Sequence, residues 1–206
     1  MIRLRQLPVR ANVLRSIAAV LVSLFALAGC TQDAQRTTAA SGGERETQPA
    51  AEHATIDVAV VDRAGYQAAI DRHRGRIVLV DYWATWCDPC RRQFPHTVAL
   101  WHKHRDRGLD CISLSFDDPN EPEGLREVGK FLTENEATFE NLVSKLGSGE
   151  AAAEEFDFDG GLPYYVIYDR EGKIAKRISP SDPTATFRSE MIDQAVEELL
   201  AQKPAP

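Results

Sequence analysis

The segment that most constrains this chain is an apolar run, Ile77-Val78-Leu79-Val80, that passes through Asp81-Tyr82-Trp83 into Trp86-Cys87-Asp88-Pro89-Cys90. Gly75 precedes the run, and its β-branched content predicts a strand buried in a sheet. A helix is predicted to begin just past Cys87, because Phe94, Val98 and Trp101 recur at i, i+4 and i+7. Pro89 suits the first turn of that helix, where a missing N–H is not needed. Two cysteines three residues apart at a helix start share a face and lie within bonding reach. Cys87 is expected at the first helical position, beside unpaired backbone N–H groups and the positive end of the helix dipole, which favours thiolate over thiol. Cys90, one turn in, is expected to be more shielded and placed to attack a mixed disulfide once one has formed.

The remaining elements follow from periodicity. Ile56, Val58, Val60 and Val61 suggest a short strand, and residues 66–73 a helix. Gly108 ends the helix after the cysteines, and residues 109–116 read as the next strand. A polar loop over 117–122 leads into a helix ending near Glu134; residues 139–143 are extended, and 150–156 form a short helix. Residues 164–168 and 173–178 make a hairpin about Asp169-Arg170-Glu171-Gly172. Met191, Ile192, Ala195, Val196, Leu199 and Leu200 form one face of a closing helix. This order predicts an α/β fold: a mixed central sheet flanked by helices, with a helical insertion after the third strand.

The N-terminus reads as an address. Arg3, Arg5, Arg10 and Arg15 precede an apolar run over residues 17–28. That run is too short to cross a bilayer, which takes about 20 residues. A basic start, a short apolar centre and small residues after it form a secretory signal over residues 1–29. Leu27-Ala28-Gly29-Cys30 resembles the bacterial lipobox, which implies lipidation of Cys30 and an anchor in a bacterial membrane. The plainer alternative is an ordinary signal cleaved nearby, with Cys30 a bystander. A single acyl chain holds only marginally, so a stable anchor needs more than one. Residues 30–54, poor in large apolar side chains, read as a flexible tether with a reach of roughly 25–30 Å. Past residue 29 the chain carries 20 basic and 31 acidic side chains, a formal charge of −11. So acidic a body argues against nucleic acid as a partner.

The segment Asp81-Tyr82-Trp83-Ala84-Thr85-Trp86-Cys87-Asp88-Pro89-Cys90-Arg91-Arg92-Gln93-Phe94-Pro95 resembles the active site of the thioredoxin superfamily. Within it, the chain is most similar to the TlpA/ResA-like, membrane-anchored thiol-disulfide oxidoreductases. The resemblance spans about residues 56–202 and includes the insert near 117–134 and Gly160-Gly161-Leu162-Pro163. It implies a thioredoxin-like domain over 55–203, on the periplasmic side of the membrane, whose redox-active disulfide Cys87–Cys90 needs no further cofactor and no metal. It also implies that Pro163 is a cis-proline facing the cysteines; such a bond costs only about 0.5–1 kcal/mol. The backbone at Leu162 would pair with an extended substrate, and Trp86 would flank the exposed sulfur. Asp81 matches a buried carboxylate that relays protons to the second cysteine, a role suited to a group whose pKa burial raises.

The implied partners are disulfide-containing or dithiol proteins, a membrane reductase as electron donor, and the membrane itself. Gln93 stands where relatives devoted to cytochrome c maturation carry Glu. It cannot ionise, which leaves acid–base work to Asp81 and weakens the case for apocytochrome c as substrate. Asp88 and Asp81 both oppose a nearby thiolate, which points toward a reductant.

Other chemistry competes for the same residues. A static disulfide or half a zinc site would use Cys87 and Cys90, but zinc needs two further ligands and neither Cys30 nor Cys111 sits in a second C-x-x-C. Cys111 reads as a buried, inert thiol. His96, His102 and His104 could suggest copper, as in Sco-like proteins, but read better as a solvated helix face. Trp83 and Trp101 read as core. The acidic run 117–123 reads as a solvated loop, with a docking surface for a basic partner as the alternative. As whole functions, a thiol peroxidase and a metal-binding lipoprotein stand beside the oxidoreductase.

Overall fold

A computed structural model describes residues 56–180 and 187–202. The signal segment, Cys30 and the tether through residue 54 lie outside the described residues, as do both ends of the 55–203 span. The elements are β1 (Ala59–Val61), α1 (Arg63–Arg72), β2 (Ile77–Trp83), α2 (Asp88–His104), β3 (Leu109–Ser115), α3 (Pro122–Glu134), β4 (Glu140–Ser144), α4 (Glu150–Phe156), β5 (Tyr164–Tyr168), β6 (Ile174–Ile178) and α5 (Glu190–Ala201). The sheet runs β1-β4-β3-β2-β5-β6. Strands β1 to β4 are mutually parallel, and β5 and β6 are antiparallel to their neighbours. The expected mixed sheet is therefore present. The segment after β3 adds a strand as well as a helix: β4 lies between β3 and β1.

All seven residues of β2 are buried, because strands flank it and helices cover both of its faces. Alternation sorts its side chains. Ile77, Leu79 and Trp83 meet Phe94 and Val98 of α2, Val128 and Phe131 of α3, and Ile192 and Val196 of α5. Val78, Val80 and Tyr82 meet Tyr66 and Ile70 of α1 and Phe156 of α4 on the other face. There the phenols join: Tyr82 Oη donates to Tyr66 Oη at 3.0 Å, and Tyr66 and Tyr168 share a bond of 2.9 Å.

Local chemistry moves several boundaries. α1 begins at Arg63, three residues before the expected start, because Asp62 caps it by accepting from Gly65 N–H at 3.0 Å. β1 begins at Ala59; Ile56 and Val58 are partly buried against the core instead of pairing in the sheet. Gly108 takes φ 104° at the turn into β3, a conformation open to glycine at little cost. Asp117 and His104 correct two readings of solvated surface. Asp117 is 3% exposed and His104 1% exposed. His104 accepts from Arg107 Nη1 at Nδ1 (2.9 Å), and its Nε2 lies 3.5 Å from Glu197 of α5.

At the opposite end of β3 from the cysteines, His73 bridges Asp110 (2.8 Å) and Glu140 (3.0 Å), tying the end of α1 to β3 and β4. The hydrogen bond that His73 donates to Asp110, with the one it donates to Glu140, raises it above its ordinary value against the opposing effect of burial. A raised folded-state value contributes stability that is complete below the unfolded value and is lost as pH rises through the folded one. His73→Ala is therefore expected to destabilise the domain more at pH 5.5 than at pH 9, read from urea unfolding at both.

Candidate active site

The end of β2 and the start of α2 are joined by a tight turn in which Cys87 N–H donates to Ala84 C=O at 3.1 Å. The helix begins at Asp88, just past Cys87 as expected, and Cys87 is its N-cap instead of its first helical residue. Cys90 N–H points at Cys87 Sγ, 3.3 Å away, so an unpaired donor of the first turn faces the sulfur. Cys87 and Cys90 are bonded, with S–S 2.02 Å and Cα–Cα 5.3 Å. Cys87 is the more accessible of the two, 6% exposed against 1%. Trp86 beside it is 60% exposed.

The Leu162–Pro163 peptide is cis. The tertiary fold brings these residues to the start of α2. A groove of about 360 Å³ is lined by Pro89, Arg92 and Gln93 on one side and Leu162, Pro163, Pro180 and Phe187 on the other. Gln93 thus lines this groove, to which it offers an amide.

Asp81 is 1% exposed, between Leu79 and Trp83 on the face of β2 that α2 covers. Thr97 Oγ1 donates to Oδ2 at 2.6 Å, while Oδ1 has no hydrogen-bond partner among the described residues. Burial pushes its carboxyl up to about 7, against a lowering by the Thr97 bond. Thr97 stands two turns beyond Cys90 on one stripe of α2, so the carboxyl and the second cysteine belong to the same layer. Sequence reasoning passed over Thr97, although its i+7 spacing from Cys90 was visible.

Cys111 lies opposite Leu79 in β3, free and buried, and burial pushes its thiol up. A protonated thiol closed off from solvent is inert. The three helix histidines do not converge: His102 is exposed, His96 pairs with Asp193 at 2.8 Å, and His104 is buried. Among the described residues no group of three His, Cys, Asp or Glu side chains could hold a metal. A second residue that sequence reasoning misjudged is Asp117, whose carboxylate grips Thr85 in the turn before Cys87.

Residues 51–179 match the profile of the AhpC/TSA family, well over half of the chain. The chain belongs to the AhpC/TSA family. Within it, thiol-disulfide oxidoreductase ResA of Geobacillus kaustophilus is 23% identical over 143 residues, covering 69% of this chain and 74% of that protein. ResA of Geobacillus thermodenitrificans is 25% identical over the same shares. A solved structure of a thiol:disulfide interchange protein, DsbE, from Chlorobium tepidum superposes with a TM-score of 0.50 at 24% identity. It covers 64% of this chain and 85% of that one and shares the fold. This member of the family is thus a ResA/TlpA-like protein of the thioredoxin superfamily, as residues 81–95 implied.

The raised value of Asp81 has a consequence for stability. The fold favours the neutral carboxyl, so stability is lost as pH rises from the unfolded value near 4 through about 7. At about 1.4 kcal/mol per pKa unit, Asp81→Asn is expected to be about 2–4 kcal/mol more stable than wild type at pH 8 and equal to it near pH 4. Urea unfolding of the oxidised proteins at the two pH values checks this.

Proposed function

We propose that this protein is an extracytoplasmic, lipid-anchored thiol-disulfide oxidoreductase that reduces disulfides in other proteins. The observation that carries the reading is the Cys87–Cys90 pair at the cap of α2, a helix whose first turns share a groove with the cis Leu162–Pro163 peptide. The ResA relatives support the class of chemistry. In the reduced protein, Cys87 thiolate attacks one sulfur of a substrate disulfide. A mixed disulfide forms, and the displaced substrate sulfur leaves as a thiolate that takes a proton. Cys90 then gives its proton to Asp81 and attacks Cys87 Sγ, which forms the Cys87–Cys90 bond and expels the second substrate sulfur. Two electrons and two protons pass to the substrate. A membrane reductase returns them by the reverse exchange.

Each residue has a defined task in this scheme. The first-turn N–H groups of α2 stabilise the Cys87 thiolate, and the shielding of Cys90 delays its attack until a mixed disulfide exists. Asp81, poised near neutral pH, can both accept and return the proton. Leu162 offers its backbone to an extended segment, and Trp86 borders the sulfur. Lipidation of Cys30 and the 31–54 tether would keep the domain near the membrane that supplies its electrons. Secreted proteins with wrongly formed disulfides are the broad substrate class; apocytochrome c is the narrower one, and the uncharged Gln93 sets this chain apart from relatives devoted to it. A thiol peroxidase has less support, because Cys111 is closed to solvent and the remaining described cysteines are the paired ones.

Two measurements test the reading. Cys90→Ala should accumulate a covalent adduct with substrate protein that dithiothreitol releases, and Cys87→Ser should form none. Absence of any adduct, with hydrogen peroxide consumed faster than protein disulfide, would instead establish the peroxidase. The wild-type rate of insulin reduction should rise with pH through about 7 as Asp81 ionises. Asp81→Asn should lose that inflection and fall about 10–100-fold in rate.

A further inference from the structure

Asp117 opens an acidic stretch, yet its carboxylate is inside the protein, just past the end of β3. It accepts from Thr85 N–H (3.0 Å to Oδ2, 3.3 Å to Oδ1), from Thr85 Oγ1 (2.5 Å) and from Ser115 Oγ (2.5 Å). Its own N–H donates to Ser115 Oγ at 3.1 Å. Every one of these donors is neutral, and among the described residues no ion pair involves Asp117. A buried carboxylate without a cation is expensive to keep unless it is fully hydrogen-bonded. The bonds it makes converge on one feature, the turn that carries Trp86 and Cys87.

The other restraints on that turn lie at its ends, where Cys87 C=O also accepts from Arg91 N–H at 3.0 Å and Cys87 Sγ is bonded to Cys90. Cys87 N–H closes it onto Ala84 C=O, and Phe116 N–H bonds Trp83 C=O at 2.8 Å just before it. Between those two bonds, Thr85 is the residue whose position decides where Trp86 and the cap sulfur point. We propose that Asp117 is a positioning residue for disulfide exchange: by clamping Thr85 through both backbone and hydroxyl, it holds the 84–87 turn so that Trp86 and Cys87 Sγ meet a docked polypeptide in one orientation. The proposal rests on the oxidoreductase reading above. Exchange requires the attacking sulfur to lie in line with the substrate S–S bond. A polypeptide seated along the Leu162–Pro163 loop cannot rotate to find that line, whereas a small free disulfide can. Loss of the clamp should therefore penalise protein disulfides selectively.

The test compares two substrates on the pre-reduced full-length protein: insulin, and the small aromatic disulfide DTNB. Asp117→Asn keeps the shape but leaves one acceptor oxygen, with an amino group facing donors. Thr85→Val removes the hydroxyl and keeps the backbone bond, and Thr85→Ser retains both. For insulin, kcat/KM is expected to fall about 10-fold in Asp117→Asn and about 3-fold in Thr85→Val, while Thr85→Ser stays within about 2-fold of wild type. With DTNB all three should stay within about 2-fold. Unchanged insulin reduction in both weakened variants overturns the proposal, and so does a parallel loss with both substrates, which marks a general effect on folding or sulfur reactivity. Should Asp117→Asn fail to fold, Thr85→Val decides alone. A wild type inert toward both substrates overturns the oxidoreductase reading itself, and this proposal with it.

Discussion

The chemistry of this protein depends on where β2 stops. Seven consecutive buried residues fill the space between two strands and two helical layers, so the strand can neither slide nor turn over without exposing apolar surface. A slip of one residue would exchange the Asp81 face for the Tyr82 face. Because the strand is held, the residue that follows its closing turn is held as well, and that residue is Cys87. Backbone donors at the start of α2 then come to the sulfur without any side chain having to supply them.

The two faces of the sheet divide the work. The Tyr66–Tyr82–Tyr168 face satisfies its hydroxyls internally and is closed by α1 and α4. The opposite face carries the disulfide, Asp81, Thr97 and the aromatic packing of Trp83 on Phe94 (4.9 Å) and Phe131 (4.8 Å). A carboxyl placed among such side chains holds its proton to near-neutral pH, where a surface carboxyl would be ionised. The fold accepts a loss of stability at alkaline pH to keep that group there.

Two carboxylates around the cysteine turn solve burial differently. Asp81 has one donor and one oxygen without a hydrogen-bond partner among the described residues, and burial raises its carboxyl to about 7. Asp117 is surrounded by donors and acts as an anchor. In a linear reading they look reversed, since Asp117 heads a run of acids and Asp81 ends an apolar segment. The difference comes from the sheet: β3 runs parallel to β2 with Ser115 opposite Trp83, and this brings the end of one strand beside the turn of the other.

Local patterns in the chain were enough to place the strands and α-helices among the described residues to within a few positions, and to point to the Cys87–Cys90 bond, the cis bond at Pro163 and the family. These signals are short-range: periodicity, a proline in a first turn, a glycine at a helix end, a fifteen-residue motif. Tertiary structure alone decided that β4 lies between β3 and β1, that Gln93 and Leu162 face each other across one groove, and that His104 and Asp117 are inside. Hydrophobic burial is set by which surfaces meet, and hydrogen-bond partners by which segments are brought side by side. A charged residue therefore reads as solvated until the neighbour that covers it, dozens of residues away in the chain, has been placed.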